Sequence, residues 1–313
     1  MSVLGVEGVT NFTNRVVGAR ANRWGTHSAY GTGISRIELG EISVGAGATG
    51  AAVTMTGVEA TDILLGTIQE SGTAPAANCI LEYVFMSGAN TVSCNLNKAP
   101  GDDGTKVNVL LIRPSAAATP LTRYTNLKVG AAGGDASAIQ QINVIRDTLV
   151  DGTTSKAVSV PGLGDNAHVF VMTNEDPTTG AVRVQELTVD TAADTVTVEN
   201  SAAPGGSHAD FGLLAIEGNP QPLNTGLTAI QADTTNGTPL TEILIAKHTI
   251  TGQTNTVSMP GLTTDHKLFV SHSSEADDIW YANPTADTAT VKFTADSSAE
   301  AGVIWVLAVK QAT

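Results

Sequence analysis

Aromatic residues make up only 4% of this 313-residue chain, and charged residues only 15%. A solvated helix bundle carries far more charge, since even an average protein has about a quarter of its residues charged, so that class is excluded. Cysteine is nearly absent. Cys79 and Cys94 are the only two, too few to staple a secreted disulfide scaffold of this length. No apolar run approaches the roughly 18 residues of a membrane-spanning helix, and the opening segment MSVLGVEGVTNF lacks the basic and apolar regions of a signal peptide. The expectation is synthesis in the cytoplasm with no membrane partner. Positive charge is scarce too: 16 Lys and Arg against 30 Asp and Glu leave a net charge of -14. A nucleic-acid partner is therefore not expected, because phosphate binding needs concentrated basic groups.

What remains is a chain with 42% hydrophobic residues and 32 glycines, dominated by Thr, Val, Ala and Ser. β-Branched residues fit pleated sheets and glycine fits turns, so the fold class is all-β and antiparallel. The order of segments repeats three times. Val53-Thr-Met-Thr-Gly57, Val158-Ser-Val-Pro-Gly162 and Val257-Ser-Met-Pro-Gly261 share one pattern. Strand-like runs precede each, at 37–44, 142–150 and 243–250. The turns Ala89-Asn-Thr91, Ala193-Asp-Thr195 and Ala286-Asp-Thr288 follow, each leading into an alternating strand. Each unit closes on a continuous apolar run, 107–112, 211–216 and 303–309, read as a strand buried on both faces. Such internal periodicity predicts tandem units: three small β-sandwich repeats, Ig-like or jelly-roll-like, at 33–115, 136–218 and 238–313. Segments 115–135 and 219–237 read as linkers. Residues 1–32 form an N-terminal arm with Arg15, Arg20 and Arg23 against one acid, Glu7. Its composition cannot make a core alone.

The candidate chemistry is sparse. Gly45-Ala-Gly-Ala-Thr-Gly50 fits a dinucleotide-binding pattern, but an alternating strand follows where a helix is needed, so a hairpin turn is expected. The six histidines, His27, His168, His208, His248, His266 and His272, lack the spacing of a zinc site and read as surface or turn residues; the position near His168 and His266 reads as a tolerant loop. Cys79 and Cys94 read as buried free thiols. Asp102 with Asp103, and Asp277 with Asp278, read as solvated turns rather than calcium loops. Trp280 and Tyr281 form either an exposed aromatic platform for a ligand or a pair with one ring packed inward. No nucleophile elbow, metalloprotease pair or phosphate loop occurs. The expectation is no enzyme, no metal and no cofactor.

The V-[ST]-[MV]-x-G pattern, the A-[DN]-T turns and closing strands such as Phe211-Gly-Leu-Leu-Ala-Ile216 resemble the small β-sandwich head decoration, or cement, proteins of tailed bacteriophages. The resemblance covers most of the chain. It implies a non-enzymatic virion protein bound outside a capsid, with the major capsid protein, and other copies of itself, as partners. Members of that family commonly carry one sandwich and assemble as oligomers, whereas three occur here in one chain. Arg15, Arg20, Arg23, Trp24 and Tyr30 of the arm are the expected partner-binding residues. The alternative is a phage fibre or receptor-binding protein that recognises a host-surface glycan.

Overall fold

A computed structural model of the chain describes residues 34–70, 74–76, 78–101, 103–114, 127–128, 138–160, 162–175, 182–205, 208–218, 240–273, 277–295 and 302–311. Among these residues there is no helix, and all strand pairing is antiparallel. The first six strands are β1 (Ile34–Val44), β2 (Gly50–Thr54), β3 (Ile63–Gln69), β4 (Leu81–Gly88), β5 (Thr91–Leu96) and β6 (Thr105–Pro114). They form two sheets, ordered β1-β6-β3 and β2-β5-β4. After the two-residue β7 (Leu127–Lys128) come β8 (Ala138–Leu149), β9 (Ser155–Ser159), β10 (Ala167–Thr173), β11 (Val184–Asp190), β12 (Thr195–Asn200) and β13 (Ala209–Gly218). Their sheets are β10-β13-β8-β7 and β11-β12-β9. The last set is β14 (Leu240–Thr249), β15 (Thr254–Ser258), β16 (Lys267–His272), β17 (Ile279–Thr285), β18 (Thr288–Phe293) and β19 (Val303–Gln311). Its sheets are β14-β19-β16 and β15-β18-β17. In each set the first, sixth and third strands share one sheet, and the second, fifth and fourth share the other.

The repeated sequence motif has a local cause. Met55, Val160 and Met259 each accept a hydrogen bond from the backbone N–H three residues on, closing a turn. Gly57, Gly162 and Gly261 occupy its third position with φ of 74°, 77° and 91°, a left-handed conformation that only glycine adopts without strain. The residue before Thr in each A-[DN]-T turn is also left-handed: Asn90, Asp194 and Asp287 have φ of 61°, 54° and 59°. Asn and Asp tolerate that region, and their side chains can hold the neighbouring chain. Asn90 Oδ1 accepts from the Gly57 N–H, Asp194 Oδ1 from Leu163 N–H at 3.0 Å, and Asp287 Oδ1 from Gly261 N–H at 2.7 Å. The two repeated motifs are thus two halves of one clasp.

Two expectations need correction. The segment Gly45–Gly50 is no hairpin, because β1 pairs with β6 and β2 with β5, so the chain crosses there from one sheet to the other. Part of the segment 115–135 read as a linker is a strand, since Leu127 and Lys128 pair with Ile139 and Ala138 at the edge of β8. The remainder of both linkers lies outside the described residues.

The core explains the continuous apolar runs. Val107, Val109 and Leu111 of β6 point into a cluster with β2, β4 and β5, while Leu110 and Ile112 join a second cluster centred on the middle strand set. Strand β19 does the same: Ile304, Val306 and Ala308 pack within their own set, and Trp305, Leu307 and Val309 join the middle cluster. Alternate residues face opposite sides of a sheet, so a sheet covered by its partner sheet on one side and by another strand set on the other must be apolar at both parities.

Candidate functional site: the centre shared by the three strand sets

The third strands of the sets, β3, β10 and β16, all touch one another. Val270 of β16 donates its N–H to Thr67 Oγ1 of β3 at 3.1 Å, and Val171 of β10 donates to Ser271 Oγ of β16 at 3.3 Å. Val270 and Val171 each lie nine residues past their turn glycine, and Ser271 and Thr67 each lie ten past theirs. The contact is therefore the same one made twice, from the third set to the first and from the second to the third. Met172 stands at the tenth position in the second set and offers no hydroxyl. Its place is taken by Asn174, buried two residues on, whose Oδ1 accepts from Leu64 N–H at 3.1 Å and whose Nδ2 donates to Leu64 O at 2.6 Å and Val84 O at 3.2 Å.

A second ring surrounds the first. Arg146, Lys247 and Glu41 hold equivalent places, opposite Gly212, Trp305 and Asn108 in the middle strand of their sheets. Arg146 donates to Ala60 O and, at 3.2 Å, to Asp62 O of the first set. Lys247 donates to Asp165 O of the second set at 3.1 Å. Glu41 cannot donate to a carbonyl, and here the third set supplies the cation, Lys267, which pairs with the Glu41 carboxylate. Glu41 also holds Lys106 at 2.7 Å. Burial alone would raise the Glu41 pKa, but hydrogen bonds from Lys106 and Lys267 outweigh it and hold the carboxyl below its ordinary value. The three junctions close head to tail, as heterologous contacts do around a rotation axis. Gly212 shows how tight the first of them is: a Cβ there would stand 2.3 Å from Ile63 Cγ2 and 2.5 Å from Asn174 Oδ1.

Between the third strands lies a cavity of about 70 Å³, bounded by Gly66, Val171 and Val270 and by Thr67, Met172 and Ser271. Small-molecule sites run to about 300–1,000 Å³, so this cavity is well below the size of a typical one. Beside it Arg183 of the second set makes a two-pronged pair with Asp278 of the third, at 2.7 and 2.8 Å. Glu82 of the first set is close by, buried, and its pKa is raised by desolvation against the lowering effects of an Asn95 hydrogen bond at 2.9 Å and of Arg183. Three sets thus contribute one charged group each to the rim.

Only some of the residues singled out in the sequence lie among the described residues. Arg15, Arg20, Arg23, Trp24 and Tyr30 lie outside the described residues, as do His27 and Asp102. Tyr281 is only 8% exposed and packs in the core cluster of the first strand set, with Trp280 half-buried against the same cluster. Their rings meet edge to face at 5.1 Å, and Lys292 Nζ sits 4.7 Å from the Trp280 centroid. Of the two readings of this pair, the one with a ring packed inward is seen, in Tyr281. The pair is an anchor between sets, reinforced by Asn283, whose side chain bonds the Glu70 N–H and carboxylate. Asp277 is buried and Asp278 is paired with Arg183, so that acid cluster is not a solvated turn.

The histidines also need correction, since His168, His266 and His272 are buried. The position of His266 is not a tolerant loop. Its Nδ1 accepts the Thr263 N–H at 3.0 Å, and Asp62, the equivalent residue, accepts the Glu59 N–H at 2.8 Å through Oδ2. Two different acceptors serve one turn. Cys79 and Cys94 are free and buried, as expected, with burial pushing both thiols up to about 11. At neutral pH they stay protonated and unreactive. Among the described residues one trio, Glu175, His208 and Asp210, brings metal-ligating atoms within 4.8 Å of one another. No helix of the described residues is long and apolar enough to cross a membrane. No family model matches the chain, and no curated protein does.

Proposed function

We propose that the chain is a virion structural protein of the head-decoration type: three β-sandwich repeats closed into one ring, binding the outside of an assembled shell and bridging neighbouring capsid subunits. The observation that carries this reading is the pair of cyclic contact sets. A single chain that arranges three equivalent units head to tail presents each outward surface three times, at fixed spacing. Such a body gains most from a partner that itself repeats, because once one unit is engaged the others are held at high effective concentration and in register. A capsid of identical subunits is a partner of that kind. The ring also accounts for three sandwiches in one chain where the decoration proteins it resembles use separate subunits: the oligomer is written into the sequence.

The arm extends the same logic. Phe12-Thr-Asn-Arg-Val-Val-Gly-Ala19 is echoed by Tyr124-Thr-Asn-Leu-Lys-Val-Gly-Ala131 ahead of the second repeat, and more faintly by Thr225-Gly-Leu-Thr-Ala229 ahead of the third. A related segment thus precedes each repeat, and the first copy carries Arg15, with Arg20 and Arg23 just after it. Trp24 and Tyr30 serve as buried anchors in a groove between capsid subunits, with the arginines forming paired hydrogen bonds.

Binding of the purified chain to expanded empty heads of the phage that encodes it is the test. Deleting residues 1–32 is expected to leave the melting temperature unchanged and to weaken attachment, more steeply as salt is raised. An arm-less chain that attaches normally would show the arm to be idle. A full-length chain that ignores heads and binds host cells would transfer the assignment to a receptor-binding protein.

A further inference from the structure

We propose that Glu175, His208 and Asp210 form a binding site for a divalent transition-metal cation of the zinc class. The reading is independent of the proposed attachment to a capsid. It begins with strand periodicity. His208 and Asp210 are two residues apart at the start of β13, so their side chains leave the same face. Thr173, the last residue of β10, pairs with Phe211 of β13, which brings Glu175, two residues further on, against the same spot. His208 Nε2 lies 3.6 Å from Glu175 Oε2 and 3.9 Å from Asp210 Oδ1. Ligand atoms about 2.1 Å from a tetrahedral zinc stand about 3.4 Å apart, so the two imidazole–carboxylate distances need to close by only a few tenths of an ångström, within a group whose ligand atoms all lie within 4.8 Å of one another.

The carboxylates are already oriented. Asp210 N–H donates to Glu175 Oε2 at 3.0 Å, and Thr148 Oγ1 donates to Asp210 Oδ1 at 2.6 Å. Arg146 donates to Asp210 Oδ2 at 2.6 and 3.2 Å, which leaves Oδ1 facing the imidazole. Outer hydrogen bonds of this kind fix ligand geometry in metal sites. Two carboxylates less one guanidinium leave a net charge of -1 beside an imidazole, and an imidazole selects transition metals over calcium or magnesium. His208 is more than half exposed, so the fourth position is open to water.

The repeat itself does not call for this arrangement. The corresponding residues of the first set are Glu70, Gly104 and Lys106, where an ammonium stands in place of a carboxylate and the imidazole is missing. The trio belongs to the second set alone, beside the groove of about 430 Å³ at its junction with the first.

Calorimetric titration of the full chain with Zn²⁺ at neutral pH tests the assignment. One ion should bind per chain. His208→Ala, at an exposed position that should not disturb folding, should weaken binding by at least about tenfold. Glu175→Gln should weaken it similarly, and the rise in melting temperature produced by Zn²⁺ should vanish in both. Saturable binding that survives His208→Ala, the absence of saturable binding, or equal affinity for Ca²⁺ would each overturn the proposal.

Discussion

Replacing Phe269 with alanine is expected to destabilise the whole chain by about 3–5 kcal/mol, and not the third strand set alone. Phe269 is fully buried, yet it belongs to the cluster built around the middle set, alongside Phe170 and Leu65. Leu65, Phe170 and Phe269 stand eight residues past their respective turn glycines, so the three side chains are equivalents that meet from different sets. Removing one ring opens a cavity whose lining comes from more than one set. Guanidinium unfolding followed by intrinsic fluorescence measures the loss. Under a beads-on-a-string organisation the same substitution would soften one transition and leave the others in place.

The second large effect is on acid stability. His168 lies in β10 with none of its surface exposed, and burial, the dominant cause, lowers its pKa to about 4. An unfolded histidine titrates near 6.5. Because the folded value is depressed, the folded chain resists protonation that the unfolded chain accepts. Stability is then full above about pH 6.5, falls as pH drops from there to about 4, and levels off below. The span of roughly two and a half pH units corresponds to about 3 kcal/mol. His168→Ile should remove this component, since Ile63 fills the equivalent position of the first set, while leaving the loss at lower pH from carboxylates such as Asp210. Asp210 is held below its ordinary value by hydrogen bonds from Thr148 and Arg146 that outweigh its burial. Urea titrations at pH 7 and pH 4 for both proteins are the measurement. An equal acid loss in His168→Ile would show that the imidazole is not responsible.

Much of this architecture was legible in the sequence, for specific reasons. The turn glycines and the A-[DN]-T turns were visible because a left-handed backbone restricts the choice of residue, and the restriction recurs three times. The closing runs read as strands buried on both faces because they are apolar at both parities, and Val107–Ile112 shows the reason, with one face in its own core and the other against the middle set. The ring was not legible. Its contacts use equivalent positions with unlike residues: Thr67 and Ser271 against Met172, and Arg146 and Lys247 against Glu41. The function of each place is kept while its chemistry changes sides, so no motif survives to be matched. Trp280 and Tyr281 left two readings open, since an aromatic pair beside a polar loop suits an exposed platform and a pair with one ring packed inward equally well, and the partner cluster that buries Tyr281 belongs to another set. His208 reads as a surface residue and is one, more than half exposed; its nearness to Asp210 follows from the strand period of two, which helical zinc spacing does not test.

The central claim is that three equivalent strand sets form one body. Differential scanning calorimetry of the full chain tests it most directly. A shared cluster and three closed junctions leave no set whose apolar sheet stays covered when another melts, so unfolding should be a single transition with calorimetric and van't Hoff enthalpies equal. Three separable transitions, each with the enthalpy of a domain of about 80 residues, roughly 0.7 kcal/mol per residue, would contradict it.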